Sequence, residues 1–272
     1  MATPLRPLNT GELLDRTFSL YRTHFSLFVG IAALPHLVLL ADQLLGVAVR
    51  GDLQHWSAIA MTFFWGMGTI VVTILVAAAA QAATVMAVSQ VHLDRPAGVM
   101  DSFSRVRDRI PTVLGLSIVM GLGIGLGLVL LIVPGIILAL MWSLAVPVAV
   151  LENKGVGESM TRSSQLTKGN RGRIFVIWLL FFALTIAVTL LLQWPITLAA
   201  AALAGAENTA RVLVWTQVTS AVVSFITQCL VSPLATIAFA LVYYDERVRK
   251  EAFDLQWMMT TLDGNQLPVT PV

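Results

Sequence analysis

Charge is scarce in this chain. Of its 272 residues only 12% are Asp, Glu, Lys or Arg, against 57% hydrophobic, and the mean hydropathy is +0.82. Soluble domains carry about a quarter charged residues, so the whole chain is expected in a bilayer. The single cysteine, Cys229 in an apolar run, excludes an intramolecular disulfide. Four histidines, His24, His36, His55 and His92, lie scattered, with no HExxH, no G-x-S-x-G and no facing carboxylates within a span. No catalytic residue, no metal site and no cofactor is therefore expected. The net charge of +2 excludes a nucleic-acid footprint. The first 24 residues lack the apolar core of a signal peptide, so the first span is expected to direct insertion itself.

What is present is a set of long apolar runs at roughly 25–48, 57–90, 111–133, 136–151, 174–203 and 212–244. About 17–25 apolar residues cross a bilayer as a helix, and lipid leaves no backbone group unpaired. The reading is all-α: one integral membrane domain over 1–262 with six transmembrane helices arranged as three hairpins, then a flexible polar tail over 263–272. Residues 111–151 are too long for one span and are divided at Pro134-Gly135, where Pro resists helix continuation and Gly permits a tight turn. Trp56, Trp194 and Trp215 at one side, and Trp178, Tyr243 and Tyr244 at the other, suit interfacial belts.

Fifteen of the seventeen Lys and Arg residues fall in 1–24, 92–110, 152–173 and 245–272; only Arg50 and Arg211 lie elsewhere. Loop Lys/Arg bias orients membrane proteins, so both termini are expected in the cytoplasm and the protein in a plasma (inner) membrane. The polar segments also repeat. Gly11–Arg22 aligns without a gap with Gly157–Lys168, sharing Gly, Glu, Arg and Leu, and Gly98–Arg105 is a weaker third copy. Each copy precedes two spans and reads as an interfacial amphipathic helix. In the first, Asn9 and Glu12 have capping-box spacing, while Leu14, Phe18, Tyr21 and Phe25 form an apolar stripe.

The stretches Thr10–Arg22, Arg162–Gly169 and Leu241–Leu255 resemble the glycerophosphoryl diester phosphodiesterase membrane-domain family, over about residues 8–258. In that family the membrane portion can accompany a soluble phosphodiesterase barrel. This chain has no room for the barrel, so the resemblance implies a free-standing membrane domain and not its enzymatic activity.

Candidate sites follow from charge and small residues. Arg16, Arg22, Arg162, Lys168, Arg171 and Arg173 are candidate contacts for anionic lipid, each gaining about 1 kcal/mol near such a leaflet. The closing motif offers i,i+4 pairs Asp245/Arg249, Glu246/Lys250 and Arg247/Glu251. It reads either as a solvated helix extending the sixth span or as a clamp, formed by Glu158, Asp245, Arg247, Arg249 and Glu251, that docks on Arg162–Arg173. Gly121, Gly123, Gly125 and Gly127 give two GxxxG pairs for close helix contact or self-association. Asp42 is expected to reach outer water or Arg50. Gln43, Gln81, Gln193, Gln217 and Gln228 are polar groups in or near spans. The expected function is a non-catalytic, lipid-associated scaffold or accessory protein of membrane homeostasis. Its partners are phospholipids and possible further copies or membrane proteins. The alternative is a transporter or channel for a small or amphiphilic solute.

Overall fold

The computed structural model describes residues 8–50, 56–93, 95–204 and 209–263, which form helices and no strand. In chain order these are α1 (Thr10–Thr23), α2 (Phe25–Arg50), α3 (Trp56–His92), α4 (Val99–Val106), α5 (Ile110–Leu130), α6 (Ile132–Trp142), α7 (Ala145–Leu151), α8 (Val156–Thr167), α9 (Arg171–Ala204) and α10 (Thr209–Asp263). Among the described residues six stretches are long and apolar enough to cross a membrane: Phe25–Ala48, Met61–His92, Val99–Leu130, Ile132–Leu151, Arg171–Ala202 and Val212–Glu251. Of the tail, all but Asp263 lies outside the described residues, as do the side chains of Arg50, Trp56 and Arg211.

α10 is the hub. It packs on α9, α2 and α3 and also touches α1, α7 and α8. With α3 it contributes Ala82, Ala83, Val85, Val88, Ile237, Ala238 and Leu241 to the buried core. α5 and α9 are peripheral and leave Leu122, Leu126, Leu179, Phe182 and Leu191 exposed.

The third and fourth runs separate at Leu131, not at Pro134-Gly135. Leu131 is extended (φ −158°, ψ 134°), and Pro134 sits in the first turn of α6. The reason is the missing proline N–H, whose helical partner would be the carbonyl four residues back, at Leu130. A first turn needs no such donor, so Pro134 opens the new helix. Gly135 then supports the fold-back: a Cβ there would lie 2.5 Å from Leu128 Cγ and 2.7 Å from Leu128 N. α6 and α7 are interrupted again at Ser143-Leu144, four residues before Pro147. The fourth crossing is thus Ile132–Leu151, longer at its start than the sequence reading gave.

The second interruption is repaired by α8. Ser163 Oγ donates to the Met141 carbonyl at 2.7 Å and accepts from the Leu144 N–H at 3.2 Å. Backbone groups left unpaired where a membrane helix is interrupted need such partners. α8 therefore packs against the bundle, with Ser159, Ser163, Leu166 and Thr167 buried.

The three short helices share a register through their caps. Asn9, Gly98 and Gly155 precede α1, α4 and α8, and the residues four and eight further on are buried in all three: Leu13 and Thr17, Ser102 and Val106, Ser159 and Ser163. In α1 the buried face is thus displaced from the predicted stripe. Phe18 and Phe25 are exposed, while Tyr21 donates to the Leu230 carbonyl at 2.9 Å. The capping box of Asn9 and Glu12 is present, with reciprocal bonds of 2.8 and 2.9 Å.

Candidate functional site

Two features stand out: a polar cluster where α1, α8 and the starts of α9 meet α10, here termed the basic end, and a cavity deeper in the bundle. At the basic end α10 continues unbroken past Tyr244, because its charged residues have partners on other elements. Asp245, nearly fully buried, accepts from Arg173, from Arg249 Nε at 2.9 Å and from the Leu8 N–H at 2.7 Å. Arg249 returns a bond to the Leu8 carbonyl. Glu246, also buried, accepts from Asn170 Nδ2 at 2.7 Å and lies 3.8 Å from Arg173.

A second set surrounds Glu152. Tyr243 Oη donates to it at 3.0 Å, Arg162 Nε at 3.3 Å, and Lys154 pairs with it at 3.1 Å. Arg162 also pairs with Glu251, which accepts from Arg247 Nε at 2.7 Å. Burial pushes the Glu152 carboxyl up, but bonds from Lys154 and Tyr243 and the Arg162 charge outweigh it and hold it below its ordinary value. Lys250 donates to the carbonyls of Gln165 and Lys168, at 2.6 and 2.8 Å, closing the end of α8.

This geometry revises several expectations. Asp245, Arg247, Arg249 and Glu251 join the cluster, whereas Glu158 caps its own helix, accepting from the Gly155 N–H at 3.4 Å. The Asp245/Arg249 and Arg247/Glu251 pairs form along α10, but Glu246 faces Asn170 and Arg173, and Lys250 faces α8. Arg162 and Arg173 are engaged by protein carboxylates. Arg22 and Lys168 are exposed, and Arg16 and Arg171 half-buried. Glu152 and Asn170 belong to the cluster without having been singled out, and Tyr243, expected in an interfacial belt, joins it. Tyr243 is fully buried and so is no belt residue; Tyr244 is half-buried and stacks on His92 at 4.9 Å, and Trp194 and Trp215 are exposed.

The glycine run is also divided. Added Cβ atoms would meet Trp142 at 2.8 Å from Gly123, and Gly135 Cα at 2.9 Å from Gly127, while Gly121 and Gly125 face open space. Gly123 and Gly127 serve the contact of α5 with α6, so they are not a surface for a second copy. Asp42, for its part, accepts from Thr69 of α3 at 2.7 Å.

The cavity, about 430 Å³, is bounded by all six crossings: His36 from α2, Gln81 and Thr84 from α3, Met120 from α5, Trp142 and Ser143 beside Pro147, Trp178 from α9, and Gln228, Ser232 and Thr236 from α10. No Asp, Glu, Lys or Arg lines it. Several of its polar groups are already satisfied locally: His36 Nδ1 bonds the Ala32 carbonyl at 2.7 Å, Thr84 donates to Ala80, and Thr236 to Ser232. Gln81 and Gln228 bond no described residue, and Gln228 is exposed. α5 makes no extensive contact with α9 or α10. Among the described residues no group of three His, Cys, Asp or Glu could hold a metal ion.

Residues 60–219 match the sequence model of an uncharacterised protein family, UPF0259. No curated protein and no solved structure matches the chain.

Proposed function

The chain belongs to the uncharacterised protein family UPF0259, and we propose that it is a non-catalytic, lipid-associated accessory protein of a plasma membrane, with both termini cytoplasmic. The observation that carries this reading is the cavity. Its volume is within the range of about 300–1,000 Å³ typical of ligand sites. Its polar lining is uncharged, and its amides on Gln81 and Gln228 have no partner among the described residues. An amide in hydrocarbon without a hydrogen bond costs several kcal/mol, so the polar part of an amphiphile is the occupant that best suits it. Its chains would extend between α5 and α10, which make no extensive contact, into the bilayer.

In this reading the six crossings pair as three hairpins, and α1, α4 and α8 lie at the cytoplasmic interface. Exposed Phe18 and Phe25 reach the acyl boundary there, and Arg22 and Lys168 reach headgroups. The resemblance to glycerophosphoryl diester phosphodiesterase membrane domains agrees with a phospholipid-related role. The test is native mass spectrometry of the gently solubilised protein. Stoichiometric phospholipid is expected on the wild type and reduced on Gln81→Leu/Gln228→Leu. Equal retention by both, or none by either, would discard the cavity as a lipid site. Hydrolysis of a glycerophosphodiester by the pure protein would discard the non-catalytic reading.

A further inference from the structure

α10 carries a polar residue at every fourth position: Thr216, Ser220, Ser224, Gln228, Ser232 and Thr236. All six line cavities. Gln228, Ser232 and Thr236 line the one already described, while Thr216, Ser220 and Ser224 line a second, of about 310 Å³, with Gln43, Trp65, Thr69 and Gln217. At 1.5 Å per residue the row runs about 30 Å, the thickness of the hydrocarbon core. The two linings share no residue, and along α10 they come nearest at Ser224 and Gln228, one turn or about 6 Å apart along the axis. Four residues overshoot a helical turn by about 40°, so the row winds around α10 and does not stay on one packed face. It begins against α2 and α3 and ends near Trp142 and Trp178.

Polar residues in spans often serve as bonds between helices, but this row contains little of that. Within it the cross-helix bond is Gln193 Nε2 to Ser220 Oγ at 2.6 Å. Gln217, Ser224 and Gln228 are exposed and bond no described residue. Neither cavity is lined by a Lys, Arg, Asp or Glu, although Asp42 borders the second through Thr69. The lining therefore suits a polar group without net charge.

We propose that this row is a track along which the headgroup of a zwitterionic phospholipid passes between the two cavities, its chains remaining in the bilayer, so that the protein moves lipid between leaflets. The proposal rests on the cavity being a lipid site, and it extends that site through the whole membrane.

The test uses full-length protein in vesicles of phosphatidylcholine containing a trace of acyl-tagged fluorescent phosphatidylcholine, with dithionite added outside. Wild type is expected to expose nearly all of the probe to quenching, whereas protein-free vesicles expose only their outer leaflet. Gln217→Leu/Ser224→Leu changes two side chains that bond no described residue and lie outside the first cavity. This variant should keep phospholipid in native mass spectrometry and show the quenching of protein-free vesicles. A wild type that retains lipid but quenches like empty vesicles overturns the track and leaves the cavity reading standing. A wild type that neither retains nor moves lipid overturns both. A variant that moves lipid as fast as wild type places the route elsewhere and overturns the track.

Discussion

At the residue scale, burial separates charges that hold the basic end from charges that decorate it. Asp245 has 1% of its side chain exposed and serves Arg173, Arg249 and the Leu8 N–H; Asp101 is 41% exposed and pairs with Arg105. Removing one member of a buried pair costs about 3 kcal/mol or more, whereas an exposed pair contributes about 0–1 kcal/mol. Asp245→Ala should therefore lower the thermal midpoint in detergent clearly, and Arg105→Ala should not; equal effects would mean that the buried cluster holds nothing together. Glu152 adds a pH dependence. Its folded carboxyl titrates below the ordinary value, so its contribution is complete above the usual carboxylate range and is lost as pH falls through the depressed value. Thermal midpoints over an acid series should fall more steeply for wild type than for Glu152→Gln. The acidic and basic residues of this cluster are plain in the sequence, but their partners are not. Spacing suggests Glu246 with Lys250, and only the placement of Asn170 and Arg173 shows that Glu246 turns inward.

At the element scale, proline and glycine govern where helices stop, and the sequence reading located them while misassigning their role by a few residues. Pro134 was legible as a breaker, yet its missing N–H acts one turn upstream, at the Leu130 carbonyl. The Gly121–Gly127 run was legible as a close-contact surface, but not that Gly123 and Gly127 face Trp142 and Gly135 while Gly121 and Gly125 do not. The consequence is testable by substitution. Gly135→Ala would bring its Cβ to 2.5–2.7 Å from Leu128 atoms, well inside van der Waals contact, and should destabilise by about 2 kcal/mol; Gly125→Ala enters open space and should be neutral. If Gly135→Ala proves as stable as wild type, the fold-back of α6 on α5 is looser than described. Association of copies through α5 is left to Gly121 and Gly125, and leucine at both should lower the native mass of any oligomer without lowering the thermal midpoint. The row of six polar residues at four-residue spacing on α10 was present in the sequence too. It escapes a search for charged or heptad patterns because Ser and Thr are near-neutral in hydropathy and the row winds around the helix.

At the scale of the whole molecule, composition and charge bias suffice for an all-helical chain with six apolar crossings, since both are sums over many residues and tolerate local errors. The cavity is different in kind, because it is assembled from side chains more than 190 positions apart, such as His36 and Gln228, and no local pattern encodes it. The same dispersion has a consequence for synthesis. The backbone of Leu8 is tied to Asp245 across 237 positions, and Tyr21 to Leu230 across 209. At about 5–20 residues per second of translation, the first helix waits roughly 10–50 seconds before its final neighbours exist. Until the last crossing is inserted, α1 has no Asp245 to receive its backbone donor. Completion of the bundle is thus a closing event that waits for α10, which supplies both late partners.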